Sequence, residues 1–179
     1  MKKEIFQDIC SQVFNVLESN EQLTIYLEGE NSQYFRFNDS KLRQSGIIED
    51  YAVTISLFSG KKSLQSATTV SSDIESSVNN LTNEINALRN PLSLIPDNEF
   101  TSFPDNFDSV EIIKSGQLPD RNEILDALMD IITKDYLTGV WTSGKIFRAC
   151  STSEGANHWF EKDSFIFDFS LIDKKENMV

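Results

Sequence analysis

Five large aliphatic residues constrain this chain more than anything else in it. Ile74, Val78, Leu81, Ile85 and Leu88 recur at spacings of four, three, four and three. That is the period of one face of an α-helix. Ser72 and Glu75 stand at its start in the S-x-x-E order of a capping box. Asn90-Pro91 follows its end, so a helix is predicted over 72–89. Such a stripe must be buried against another layer of structure.

The flanking segments identify that layer as a sheet. Tyr51, Val53, Ile55 and Leu57 alternate with Ala52, Thr54 and Ser56, the pattern of a half-buried strand. Ser59-Gly60-Lys61 reads as a hairpin turn, with a return strand over Ser63–Thr68. Before them, strands are expected at Leu23–Leu27 (ending at Gly29), Gln33–Asn38 and Lys41–Ser45 (ahead of Gly46). An amphipathic helix over residues 3–18 precedes these, carrying Ile5, Phe6, Ile9, Val13, Phe14 and Leu17. After the long helix, residues 90–119 hold all four prolines and no helical period. They read as a surface connection with a short strand at Val110–Ile113. Asp120 and Glu123 form a second capping box, and Ile124, Leu125, Leu128, Ile131 and Ile132 carry a helix to about Thr133. Three strands complete the pattern: Tyr136–Thr142, Lys145–Cys150 and His158–Ile172. In the last, Phe165, Phe167, Phe169 and Leu171 share one face. Strands in hairpin-like runs, not alternating with helices, predict an α+β fold: a mainly antiparallel sheet with helices packed on one face.

Composition narrows the function. The 179 residues carry a net charge of −12, with 28 acidic and 16 basic side chains. Such a surface repels the phosphate backbone and anionic lipid, so neither nucleic acid nor membrane is expected as a partner. Basic or neutral peptides remain acceptable. The N-terminal residues lack the apolar core of a signal peptide, and no apolar run reaches the ~20 residues of a spanning helix. Cys10 and Cys150 form no disulfide framework. A cytoplasmic location is expected.

Few residues offer chemistry. His158 is the only histidine, so a zinc site built on two imidazoles one helical turn apart is excluded. A triad through His158, or a Cys150–His158 pair, is formally open, but a strand-edge His and an inert thiol are the preferred readings. Asp105, Asp108 and Glu111, and then Glu161, Asp163 and Asp168, follow no metal-loop spacing and read as solvated surface. Arg36, Lys41 and Arg43 form a basic island in an acidic chain, interleaved with Tyr34, Phe35 and Phe37. On a strand, Arg36 shares a face with Tyr34 while Phe35 and Phe37 face the other way. The functional reading is a site for a carboxylate or peptide backbone. The plainer one is salt bridging across a hairpin.

The same island begins a resemblance. Arg36-Phe37-Asn38-Asp39-Ser40-Lys41-Leu42-Arg43-Gln44-Ser45-Gly46 resembles the N-terminal signature of the TldD/PmbA family, in which such a stretch precedes a strand, a Gly-turn hairpin and a long helix. A second segment runs from Gly144-Lys145-Ile146-Phe147-Arg148-Ala149 through Thr152-Ser153-Glu154-Gly155 and Asn157-His158-Trp159-Phe160-Glu161 to Ser164-Phe165 and Asp168-Phe169-Ser170-Leu171. It resembles the family's N-S-x-G turn between two strands and the strand that follows. Thr152 stands where the turn Asn is usual, and His158 separates Asn157 from Trp159.

The resemblance implies the N-terminal part, 1–179, of a longer protein whose β-rich C-terminal domain is absent, through a truncated or split gene or an excised region. Within it, residues 1–89 hold a helix, strands and the long helix, 90–119 a connection, and 120–179 a helix and strands. TldD-type members carry an H-E-x-x-x-H zinc helix further on and cut unfolded peptides, and PmbA-type (TldE) partners lack the ligands and pair with them. The family's older description, modulator of DNA gyrase, finds no support in an acidic chain. The implied role is a component of a metallopeptidase-type assembly, without zinc or other cofactor of its own and inactive alone. It would act in peptide or partner-subunit binding, as a homo-oligomer or with a TldD/PmbA-type subunit. The alternative is a stand-alone acidic binding or chaperone-like module. The signature or peptide-binding candidates are Arg36, Asn38, Lys41, Arg43, Gln44, Gly46, Ser153, Gly155 and Trp159.

Overall fold

The helical stripe does close a core. The computed structural model describes residues 1–105, 107–134 and 136–172. In it Leu81 and Ile85 are fully buried, and Ile74, Val78 and Leu88 pack against the same cluster. The elements are α1 (Lys3–Phe14), β1 (Glu21–Asn38), β2 (Lys41–Ser59), β3 (Lys62–Thr69), α2 (Ile74–Leu94), β4 (Val110–Lys114), α3 (Arg121–Lys134), β5 (Tyr136–Thr152) and β6 (Asn157–Ile172). The strands form one sheet in the order β3-β2-β1-β5-β6-β4, mostly antiparallel. The α+β expectation holds. Ile132 and the end of the chain from residue 173 lie outside the described side chains.

Several boundaries differ from the sequence reading, for identifiable reasons. The strands expected at 23–27 and 33–38 are the single β1, those at 41–45 and 51–57 the single β2, and those at 136–142 and 145–150 the single β5. The expected strands stop at Gly29 and ahead of Gly46, but glycines inside these long strands are places where something lies too close for a side chain. A Cβ on Gly29 would sit 2.7 Å from the Tyr51 ring, and one on Gly144 would run into the backbone at Asn31 and Ser32. α2 continues through Pro91 to Leu94. Burying Leu92 in the core offsets the lost backbone hydrogen bond. The N-cap of α2 is Asp73, whose carboxylate accepts from the Ser76 amide at 3.1 Å, one residue after the expected Ser72. The second capping box forms as read: Asp120 Oδ1 accepts from the Glu123 amide at 3.0 Å, and Glu123 Oε2 accepts from the Asp120 amide at 2.9 Å.

The chain divides into two units. Unit 1 comprises Met1–Gly29, Asp50–Ile113 and Phe147–Phe160. Its core joins Phe6, Ile9, Cys10 and Val13 of α1 and Leu81, Ile85 and Leu92 of α2 to Leu23, Ile25 and Leu27, to Tyr51, Val53, Ile55 and Leu57, and to Phe147, Ala149 and Trp159. α2 packs on α1 and β3, and Asn80 Nδ2 donates to Thr68 Oγ1 at 2.9 Å. β2 and β3 pair antiparallel from Ala52↔Thr69 to Ser59↔Lys62 around the expected Gly60 turn. Unit 2 comprises Glu30–Glu49, Lys114–Ile146 and the chain from Glu161 onward. Its smaller core sets Ile124 and Leu128 of α3 against Phe35, Phe37 and Leu137, with Leu125, Trp141 and Phe167 at its margin. No helix among the described residues is long and apolar enough to cross a membrane.

Candidate functional site

The basic island occupies the end of the β1–β2 hairpin, in unit 2. Alternation along β1 works as expected there: Phe35 and Phe37 are fully buried while Tyr34 is half-buried and Arg36 exposed. The turn itself is tight. Asp39 and Ser40 both have positive φ, 51° and 55°. This is the left-handed pair that a two-residue hairpin loop with matched twist requires. Asp tolerates that region better than most residues.

Part of the signature holds this turn together. Arg43 Nε donates to the Asn38 carbonyl at 3.0 Å, and its guanidinium stands 3.8 Å from the Asp39 carboxylate. Asn38 Oδ1 accepts from Thr138 Oγ1 at 3.2 Å. Gly46 lies against the Tyr34 ring, which a Cβ would approach to 2.8 Å. The remaining members are different. Arg36, Lys41 and Gln44 are exposed, and their side chains make no hydrogen bond or ion pair among the described residues. The salt-bridge reading of the island is thus realised by Arg43 alone. Arg36 and Lys41 keep their donors for solvent or a ligand.

Ser153, Gly155 and Trp159 belong to unit 1, with the β5–β6 turn. Gly155 has φ 105°, a conformation that suits only glycine. Its amide donates to the Thr152 carbonyl at 3.1 Å, and Thr152 Oγ1 accepts from the Ala156 amide at 3.1 Å. Thr152 thereby closes the turn with its own side-chain oxygen. Ser153 exchanges two bonds with Leu23: its amide donates to the carbonyl at 2.9 Å and its Oγ accepts from the amide at 3.1 Å. Trp159 is buried in the core beside Phe6 and Phe147. Its indole Nε1 is covered and without a partner among the described residues. The two halves of the signature therefore fall in different units.

Among the described residues no group of three or more His, Cys, Asp or Glu side chains converges. Cys10 is buried in the unit 1 core, and burial pushes its thiol far up. Cys150 and His158 do line one shallow groove, but burial also raises the Cys150 thiol, the reverse of what a thiolate ligand or nucleophile needs. Among the described residues, these side chains form no donor set for a zinc ion.

Two ion-pair arrangements escaped the sequence reading. Arg89 of α2 grips Glu21 of β1 through Nε at 2.9 Å and Nη2 at 2.8 Å, and the same Nη2 donates to the Val16 carbonyl at 2.8 Å. The Arg89 hydrogen bonds hold the Glu21 carboxyl below its usual range, against the opposing effect of burial. In unit 2, Lys145 Nζ reaches Glu161 at 2.7 Å and Asp163 at 3.0 Å. The Gly116 amide and then Lys145 lower the Asp163 carboxyl. Partners 68 residues apart, like Glu21 and Arg89, leave no local pattern to read.

This architecture belongs to a known class, the α+β fold found in proteins described as TldE and as modulators of DNA gyrase. A putative modulator of DNA gyrase from Thermotoga maritima matches 97% of the chain at a TM-score of 0.67 and 14% identity. TldE from Thermococcus kodakarensis matches 97% at 0.62 and 12% identity, and a putative modulator of DNA gyrase from Bacteroides thetaiotaomicron 98% at 0.58 and 10%. The chain spans 41%, 44% and 42% of the length of those three structures. No protein-family profile and no curated protein matches the sequence. At such identities the likeness is one of fold. In fold, the resemblance to the TldD/PmbA family drawn from the two sequence segments holds.

Proposed function

We propose that this chain is a binding component of a TldD/PmbA-type assembly, non-catalytic by itself, that uses the β1–β2 hairpin end to engage a carboxylate or backbone carbonyl of a peptide or partner subunit. The observation that carries the reading is the pair of unspent cations, Arg36 and Lys41, in a chain of net charge −12. Exposed acidic groups are plentiful in this protein, yet these two basic side chains pair with none among the described residues. An Arg that keeps its planar donors free can take a carboxylate in a bidentate grip. The likeness in fold to TldE supports the family setting, and the cytoplasm is the location that this reading takes. The arrangement contains a single imidazole, so zinc chemistry would have to come from elsewhere in such an assembly.

The test is binding of an unstructured peptide with a free C-terminal carboxylate, followed by fluorescence anisotropy. Arg36→Gln combined with Lys41→Gln is expected to weaken binding at least tenfold, or about 1.4 kcal/mol. Arg43→Gln should act mainly on the turn and so on stability. Unchanged affinity in the double variant refutes the hairpin reading. A second reading, a chaperone-like module, rests on the exposed apolar residues of β6, where Phe165, Ile166 and Phe169 are 59%, 64% and 48% exposed. Suppression of aggregation of an unfolded client, lost on Phe165→Ser and Phe169→Ser, would favour it.

A further inference from the structure

The β1–β2 hairpin leaves one strand edge open. β2 lies between β1 and β3 in the sheet. β3 pairs with it from Ala52 to Ser59, and the Val70 amide extends that contact to the Tyr51 carbonyl. Lys41–Glu49, the part of β2 in unit 2, therefore has β1 on one side and, among the described residues, no strand on the other. Each of its residues is exposed or half-buried, Ile47 at 74% and Leu42 at 39%. On such an edge every second residue turns its N–H and C=O outward, where another strand can take them. α3 holds the edge in place. Arg121, whose guanidinium lies 5.0 Å over the Phe35 ring, donates through Nη2 to Ser45 Oγ at 3.0 Å.

The charges along this edge are ordered. Lys41 and Arg43 open the segment, Glu49 closes it, and Gln44-Ser45-Gly46-Ile47-Ile48 between them are uncharged. Turned end for end about Ser45, the segment complements itself. Lys41 falls opposite Glu49, Leu42 opposite Ile48, Gln44 opposite Gly46, and Ser45 opposite its own copy. Directly opposite residues are the pairs whose side chains meet across an antiparallel edge, so opposite charges and apolar partners there are favourable. Arg43 falls opposite Ile47, where it can keep its contacts with Asn38 and Asp39 and lay its methylenes along the isoleucine. No proline and no pair of like charges interrupts the match. Moving the axis to Gly46 sets Leu42 against Asp50, and moving it to Gln44 sets Lys41 against Ile47.

We propose that Lys41–Glu49 of β2 pairs antiparallel with the same segment of a second copy of this chain, about a two-fold axis at Ser45. This rests on the reading of the hairpin end as a carboxylate site and names the carboxylate: Lys41 receives Glu49 of the second copy, twice by symmetry. Glu49 has an interaction within its own chain, and its carboxylate can accept a further donor. The outward backbone groups alone would accept any extended strand. The self-match of charge and apolar residues is what selects a copy.

The test is sedimentation equilibrium on the full chain and on its Lys41→Glu and Glu49→Lys variants. The parent should dimerise as concentration rises. Each single variant sets two pairs of like charges face to face and should weaken the dimer at least about tenfold. Mixed together, the two variants restore both opposite-charge pairs and should associate about as tightly as the parent. Unchanged melting curves check that the variants fold, and association through β6 would be blind to both substitutions. A cross-link gives a second readout. Ser45→Cys should be captured as a disulfide dimer on mild oxidation, because directly opposed Cα atoms stand about 4.5–5.5 Å apart. Ile47→Cys, opposite Arg43 and so roughly 13 Å from its own copy, should not. Three results would overturn the proposal: a parent that stays monomeric up to about 1 mM, single variants that dimerise like the parent, or a mixture that associates no more tightly than either variant alone. If one of these is found while the carboxylate-bearing peptide still depends on Arg36 and Lys41, the dimer alone is lost and the hairpin reading stands.

Discussion

Truncating Leu81 to Ala should cost about 3 kcal/mol of stability, and the number follows from its position. Leu81 is at the centre of the α2 stripe, with 0% of its surface exposed, in the cluster that holds α1, α2 and the sheet of unit 1. The change removes three carbon atoms from a packed site. Their lost transfer free energy plus the residual cavity gives roughly 2–5 kcal/mol for a fully enclosed leucine. Leu88, on the same stripe but only partly buried, should lose about half as much on the same change. A domain of this size has on the order of 5–15 kcal/mol in hand, so both variants should still fold. The assay is urea unfolding followed by tryptophan fluorescence in a Trp141→Phe background. Of the two tryptophans in the chain, Trp159 then remains, and it sits in the same core as Leu81. With about 2–4 °C of melting temperature per kcal/mol, Leu81→Ala should also melt roughly 6–12 °C lower. A loss below ~1 kcal/mol, or equal losses for Leu81 and Leu88, would refute the packing argument.

Acid sensitivity should trace in part to Glu21. Its carboxyl is lowered in the folded state by Arg89, so its contribution is present above its unfolded value of about 4.3 and is lost as pH falls through the lower folded value. Glu21→Gln should therefore be less stable than the parent at neutral pH and lose less stability as pH falls below about 4.3; parallel stability–pH curves would contradict this. The β6 face should promote self-association, since both of its sides show apolar groups and such patches usually mark an interface. Size-exclusion with light scattering should show a mass that rises with concentration and falls on Phe165→Ser with Phe169→Ser, whereas a strict monomer throughout would reject the idea.

Local order was largely legible. The Ile74–Leu88 stripe, the Asp120–Glu123 box, the Gly60 turn and the alternation of Phe35 and Phe37 with Tyr34 and Arg36 all depend on residues a few positions apart. Chain sterics and the periods of helix and strand impose such patterns whatever the rest of the protein does. The candidate hairpin could be located in the same way, because a two-residue turn between alternating segments announces itself.

What the sequence by itself determined, then, is which segments are helical or extended and which of their faces are apolar. Tertiary structure decided the rest. Gly29 became an interior residue of a long strand because Tyr51 lies against it, and α2 passed through Pro91 because Leu92 had a core to enter. Arg43 was spent on Asn38 and Asp39 while Arg36 and Lys41 stayed open. Tyr26, Cys150, Phe160 and Ile112 became neighbours across four strands to line one groove. The physical reason is the same in each case. A residue's own conformation is governed by its nearest chain neighbours, but whether its charge is paired, its side chain crowded or its face covered depends on groups tens to more than a hundred residues away, and only folding brings those together.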